Sequence, residues 1–198
     1  MRLGLIDAGG ANLGSVRYAL ERLGVTVQTV REAEHLQDVD RLILPGVGSA
    51  AEGMRRLNAQ GLTTPLRGWR RPLLGICLGM QLFYEASDEG DVPGLGLLTG
   101  RVRQMTPSPG IRMPQMGWNR VHASVPCALL DDIDDGAYMY FVHGYAAPIS
   151  PTTRAICIHG EAFSAVVESG RTYGVQFHPE RSGSAGAQLL RNFVDLPE

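Results

Sequence analysis

The chain contains no lysine: all 18 of its basic residues are arginines. Chemistry that runs through a lysine amine, as Schiff base or general base, is therefore excluded. Cysteine is scarce as well. Cys77, Cys127 and Cys157 are too few and too scattered for a disulfide framework. No Cys-x-x-Cys and no clustered Cys/His spacing suggests a zinc site. Neither a metal nor a cofactor is expected. No apolar run approaches membrane-spanning length. The N-terminal MRLGLIDAGG, with its early Asp7, does not read as a signal peptide. A net charge of −2 gives no general attraction to nucleic acid or to an anionic membrane. What remains is a globular chain of 198 residues with ordinary apolar content. It is expected to fold as one domain over residues 1–198, in the cytoplasm, where a free thiol stays reduced.

One of the few cysteines stands in a telling place. In Pro72 to Leu82, PLLGICLGMQL, an apolar run ends at Gly75-Ile76-Cys77-Leu78-Gly79 and a helical pattern follows. This reads as strand, sharp turn and helix, with Cys77 at the apex and glycines where a crowded turn tolerates no side chain. A thiol at a helix N-terminus meets unpaired N–H groups and the positive end of the helix dipole, which favour its nucleophilic thiolate. The N–H of Leu78, just past the cysteine, is a candidate oxyanion donor. Gln81, one helical turn on, faces the same side.

A base stands 101 positions later in Gly174 to Glu180, GVQFHPE. Val175 and Phe177 alternate with Gln176 as in a short strand. Pro179 pushes His178 into an extended conformation, and i and i+2 of an extended chain project together. Glu180 can then fix the imidazole while His178 acts on Cys77: a nucleophile, a base and an orienter. His143 is a rival base, but it has no carboxylate two residues on.

The first half alternates between the two element types. Strands are expected at Leu3–Ile6, Val25–Val30, Arg41–Leu44 and Leu73–Ile76. Helices are expected from an Asn12 cap to Leu23, over Ser49–Leu57, and from Cys77 through about Tyr84. This pattern implies a parallel sheet with right-handed crossovers. The second half is richer in strands, with candidates at 97–105, 117–121, 138–142, 154–158, 163–168 and 172–177, several of them antiparallel. A last helix runs over Ser184–Phe193.

PGVG at Pro45–Gly48, GICLGMQ and QFHPE, in this order, resemble the triad-type (class I) glutamine amidotransferases. The stretches IDAGGANLGSV, PQMGWNRV (114–121), YFVHGYA (140–146) and YGVQFHPERSG (173–183) resemble one branch of that family, the glutaminase subunits of imidazole glycerol phosphate synthases in histidine biosynthesis. The resemblance runs from Met1 to the last helix. It implies a flavodoxin-like α/β fold, with a central, mostly parallel sheet, helices on both faces and antiparallel strands in the second half. It implies hydrolysis of L-glutamine through a glutamyl thioester. Ammonia then passes to a cyclase partner, a (β/α)₈ barrel, in a heterodimer.

It also implies further roles. Pro45-Gly46-Val47-Gly48, which alone reads as an ordinary βα turn, supplies an oxyanion donor. Glu89 holds the substrate α-ammonium, with Asp88 a rival for that role. His143-Gly144-Tyr145 grips the α-carboxylate through its backbone, although the family usually has a hydroxyl residue where Gly144 stands. Asn12 lies toward the partner. Met116, Trp118 and Asn119 form a mixed apolar and amide cluster suited to an interface, with core packing the alternative for Trp118. Arg112 and Arg120 are interface charges or solvated ones. Two other readings stand beside this one: an amidotransferase serving a different synthase, and a subunit that keeps the fold without the activity.

Overall fold

The structure, a computed structural model, describes residues 1–8 and 13–197. The expected Asn12 cap lies outside them. In chain order come β1 (Leu3–Ile6), α1 (Leu13–Arg22), β2 (Val27–Val30), β3 (Arg41–Gly46), α2 (Ala50–Ala59), α3 (Thr63–Arg67), β4 (Leu73–Cys77) and the single turn α4 (Leu78–Gln81). Then follow β5 (Tyr84–Ser87), β6 (Val92–Pro93), β7 (Leu98–Gln104), β8 (Gln115–Ala123), β9 (Ala137–His143), β10 (Tyr145–Ala146), β11 (Thr153–His159), β12 (Glu161–Ser169), β13 (Thr172–Val175) and α5 (Gly183–Asp195).

The main sheet has the order β2-β1-β3-β4-β13-β12-β11-β8-β9. Pairings from β2 through β13 are parallel, and those from β13 to β9 are antiparallel. A smaller sheet, β10-β7-β5-β6, lies beside it. The central parallel strands read as near-continuous apolar runs because both faces are covered. On one face, Leu5, Ile43, Leu74 and Val175 meet Val16 and Leu20 of α1 and Leu189 and Phe193 of α5. On the other, Leu42, Leu44 and Leu73 meet Met54 and Leu57 of α2 and Leu66 of α3. Ser49 caps α2 by accepting the Glu52 N–H at 3.4 Å.

Two departures from expectation are local. The helix after Cys77 was expected to reach Tyr84, but it ends at Gln81 and the chain turns into β5. The carbonyls of Leu82, Phe83 and Tyr84 accept from Leu95, Leu97 and Gly96 at 2.7–3.1 Å, which ties this turn to the segment leading into β7. The strand expected over 172–177 stops at Val175. Pro179–Arg181 instead form a 3₁₀ turn that follows the extended His178.

Close approach explains the glycines around Cys77. A Cβ on Gly79 would sit 1.8 Å from the Leu44 carbonyl oxygen of β3, and one on Gly75 would sit 2.6 Å from the Met80 nitrogen. The first obstacle is backbone and cannot swing away. We therefore expect Gly79→Ala to lower the free energy of unfolding by about 3 kcal/mol or more, as overpacking does. Gly68→Ala is the control. Its Cβ would meet nothing nearer than 3.6 Å at an ordinary φ of −86°, so it should shift the denaturant midpoint little. Equal effects of the two would refute this account.

Candidate active site

The register of β4 and β13 assembles the site. Ile76 lies opposite Val175, so Cys77 and the segment beyond Val175 leave the same edge of the sheet side by side. Cys77 has φ 53° and ψ −111°, a backbone state that a non-glycine residue holds only when its surroundings enforce it. The tight β3–β4–α4 contact described above enforces it here.

His178 is anchored on both sides. Its N–H donates to the Tyr140 carbonyl of β9 at 2.9 Å. Ser182 is buried and ties the same turn down: its hydroxyl donates to the His178 carbonyl at 2.7 Å and accepts from the Tyr140 N–H at 3.0 Å. The ring Nδ1 meets Glu180 Oε1 at 2.8 Å, with both side chains almost wholly buried. The ring also hydrogen-bonds the Cys77 side chain, and Nδ1 is already engaged by Glu180, which leaves Nε2 for the sulfur. The expected pairing of His178 with Glu180 is present. It arises from a 3₁₀ turn rather than from two residues of one strand.

Electrostatics follow from this geometry. Burial opposes a charge on His178, but hydrogen bonds to Cys77 and Glu180, with their negative charge, outweigh it and push the imidazole up to about 10. The ring is therefore held as an imidazolium beside the Cys77 sulfur. His143 has the opposite fate. Its Nδ1 donates to the Tyr145 carbonyl at 2.9 Å, and burial pushes it down to about 4. A ring so weakly basic, with Nδ1 committed to Tyr145, is a poor rival to His178 as a base.

A pocket of about 390 Å³ opens over the sulfur. Its wall contains Val47, Gly48, Leu78, Gln81, Glu89, His143, Gly144 and Tyr145, all expected there from the sequence, and Arg181. Gly46 sits behind them, where an added Cβ would lie 3.0 Å from Leu78 Cβ. Glu89 Oε2 accepts the Ala50 N–H at the start of α2, at 2.7 Å. Its rival Asp88 is held by Arg101 instead. A Cβ at Gly144 would meet only Pro114 at 3.6 Å, so no steric demand calls for glycine there. Gln81 donates to the Tyr145 carbonyl at 2.8 Å and to Gln176 Oε1 at 3.0 Å.

With this geometry in hand, the relatives can be compared. The family model described as Glutamine amidotransferase class-I matches residues 4–196. The chain belongs to the class I glutamine amidotransferase family. It is 60% identical over 194 residues to imidazole glycerol phosphate synthase subunit HisH of Xanthomonas campestris pv. campestris strain 8004, covering 98% of this chain and 97% of that one. Against the same subunit of Xylella fastidiosa strain Temecula1 it is 58% identical over 192 residues, covering 97% and 96%. Among solved structures, a glutamine amidotransferase superposes with a TM-score of 0.76 at 20% identity, covering 98% of each chain. PurLQS from Thermotoga maritima gives 0.73 at 20% identity, covering 98% and 97%. At that identity the likeness is one of fold.

Three residues of this amidotransferase site were not singled out from the sequence. Gln176 donates to Cys77 Sγ at 3.7 Å. Arg181 lines the pocket and lies over the Tyr140 ring at 4.7 Å. Ser182 fixes the histidine turn. Gln176 carried a usable signal: a polar residue between two apolar ones in an apolar segment needs a partner once buried. Nothing local distinguished Arg181 or Ser182.

The raised value for His178 has a consequence for stability. The charged ring contributes fully below its ordinary value of 6.5, and that contribution is lost as pH rises through about 10. In Glu180→Gln the ring loses its anionic partner and should titrate at clearly lower pH, read from its imidazole NMR shifts. An unchanged midpoint would show that Glu180 does not hold the charge.

Proposed function

We propose that this chain is the glutaminase subunit of an imidazole glycerol phosphate synthase and hydrolyses L-glutamine to glutamate and ammonia. One observation carries the chemistry: a buried Cys77–His178–Glu180 constellation at the floor of an open pocket, in a chain 60% identical over nearly its whole length to subunits so named.

The thiolate of Cys77 attacks the side-chain amide carbon of glutamine. The resulting oxyanion is met by the Leu78 N–H and the Gly46-Val47-Gly48 loop. Losing one such donor typically costs roughly 10²- to 10³-fold in rate. The imidazolium of His178 gives its proton to the leaving nitrogen, the C–N bond breaks, and ammonia departs from a glutamyl thioester. Neutral His178 then takes a proton from water, which attacks the thioester. Breaking the C–S bond releases glutamate and restores the ion pair. The α-ammonium of the substrate sits at Glu89. Its α-carboxylate lies along the backbone of His143-Gly144-Tyr145, where a main-chain grip is indifferent to the missing hydroxyl at Gly144.

The ammonia needs a receiver. Four large hydrophobic side chains stand more than half exposed on neighbouring strands: Met116 and Trp118 on β8, Tyr138 on β9 and Ile158 on β11. Four such side chains gathered on three adjacent strands support a docking face, for a cyclase subunit with a (β/α)₈ barrel that completes a heterodimer. Asn119 is placed less freely, since its amide donates to the Ile158 carbonyl at 2.9 Å. Arg120 stacks on Tyr138 at 5.0 Å and would shape the same rim. Asn12 belongs to the undescribed segment. The whole chain acts as one amidotransferase domain in the cytoplasm, and no helix among its described residues is long and apolar enough to cross a membrane.

Cys77→Ala should abolish glutamine-dependent turnover by the assembled synthase while leaving turnover on added ammonium salts. Loss of both would place Cys77 outside the glutaminase step. Glu89→Gln should raise the KM for glutamine about 10- to 100-fold, the worth of a charged hydrogen bond. Asp88→Asn should not, and the reverse pattern would exchange their roles. Trp118→Ala should weaken binding of the cyclase subunit by about tenfold or more in calorimetric titration, whereas unchanged affinity would move the docking face elsewhere.

A further inference from the structure

Beneath the pocket floor runs a buried chain of hydrogen bonds that the triad does not include. It starts at the Tyr145 carbonyl, which can only accept. Gln81 must therefore turn its NH₂ toward Tyr145, at 2.8 Å. The same NH₂ lies 3.0 Å from Gln176, so Gln176 must present its carbonyl oxygen there. The other end of the Gln176 amide is then necessarily NH₂, and it faces Cys77 Sγ at 3.7 Å. The usual ambiguity of amide orientation is removed, because one carbonyl fixes both glutamines in turn.

We infer that Gln176 holds the reactive thiolate of Cys77 as a hydrogen-bond donor, and that Gln81 is a positioning residue that keeps the Gln176 amide turned toward the sulfur. This deepens the glutaminase reading and rests on it. Gln176 is fully buried, and its backbone N–H is fixed on the Ala165 carbonyl at 2.9 Å, so the amide has a defined origin. Facing the sulfur is the Val142 carbonyl at 3.8 Å, which accepts from a neutral thiol and repels a thiolate. The Gln176 N–H opposes that bias. The charged and titratable groups around the sulfur are His178 with Glu180 behind it, and Glu89 and Arg181 in the pocket wall. His143, neutral, reaches the network only through the Tyr145 carbonyl.

The test is the rate of alkylation by iodoacetamide as a function of pH, with the signal at Cys77 defined by difference from Cys77→Ala. Cys127 and Cys157 are buried, and burial pushes them up to about 12 and about 11, so they contribute little background. Gln176→Met keeps the length of the side chain and removes the donor. It should slow alkylation near neutral pH about tenfold and move the half-maximal pH up by about one unit, the equivalent of one modest hydrogen bond to a charge. Gln81→Met should move it in the same direction by less, and the double variant no further than Gln176→Met alone. If Gln176→Met does not fold, Gln81→Met alone decides, by shifting the half-maximal pH or leaving it in place. An unchanged half-maximal pH in a reactive protein, or additive effects of the two changes, would overturn this inference and leave the glutaminase reading intact. A wild-type Cys77 no more reactive than the two buried cysteines would overturn both.

Discussion

A sulfur and a ring, both withdrawn from water, meet in a hydrogen bond, and the rest of the site is arranged around that pair. Burying two opposite charges is costly unless each is well coordinated. Here the ring is held between the sulfur and a carboxylate that is itself inaccessible to solvent. Strip away Glu180 and the burial of His178 works against the charge. Strip away the tight turn at Cys77 and the sulfur no longer points at the ring. The backbone strain at that residue, of order 1–3 kcal/mol for such a state, is borne by close contact of β3, β4 and α4.

The sheet explains how groups a hundred residues apart meet so accurately. Parallel strands release their C-terminal ends at one edge, and adjacent ones release them side by side. β3 brings Gly46 opposite Cys77, and β13 brings Gln176 and His178 to the same edge from the other flank. The antiparallel half closes the opposite wall. β9 supplies the Tyr140 carbonyl that receives the His178 N–H, the Val142 carbonyl beside the sulfur, and His143 in the pocket wall. Because β8 alternates, Gln115 is turned inward while Met116 and Trp118 are turned out, so one strand serves both the interior and the outer apolar face.

What the sequence disclosed, and what it hid, divides along the distance over which the determining contacts act. The Gly75–Gly79 frame around Cys77 was legible because its cause is local: backbone passes so close that no side chain fits. The His178–Glu180 partnership was legible because Pro179 restricts its neighbour, although the actual path is a 3₁₀ turn. The early end of α4 was not legible, since the carbonyls of Leu82, Phe83 and Tyr84 are claimed by residues a dozen positions later. Glu89 against Asp88 was undecidable for the same reason. Arg101, on a different strand, engages Asp88 and leaves Glu89 to the start of α2 and the pocket. Arg181 and Ser182 belong to the histidine turn only once that turn is seen in three dimensions.

The three cysteines differ in their neighbours rather than in their burial. Cys127 and Cys157 are as buried as Cys77, and burial without a strong cationic partner holds both well above the ordinary thiol range. Cys157 has a glutamine beside it too, Gln115, whose amide nitrogen lies 4.0 Å from its sulfur. That arrangement alone does not reverse the effect of burial. At Cys77 the sulfur meets an imidazolium as well, and the Gln176 amide beside it is fixed by its own partners. Among the described residues, the edge where β4 and β13 end side by side is where a cysteine, an imidazolium and an oriented amide come together.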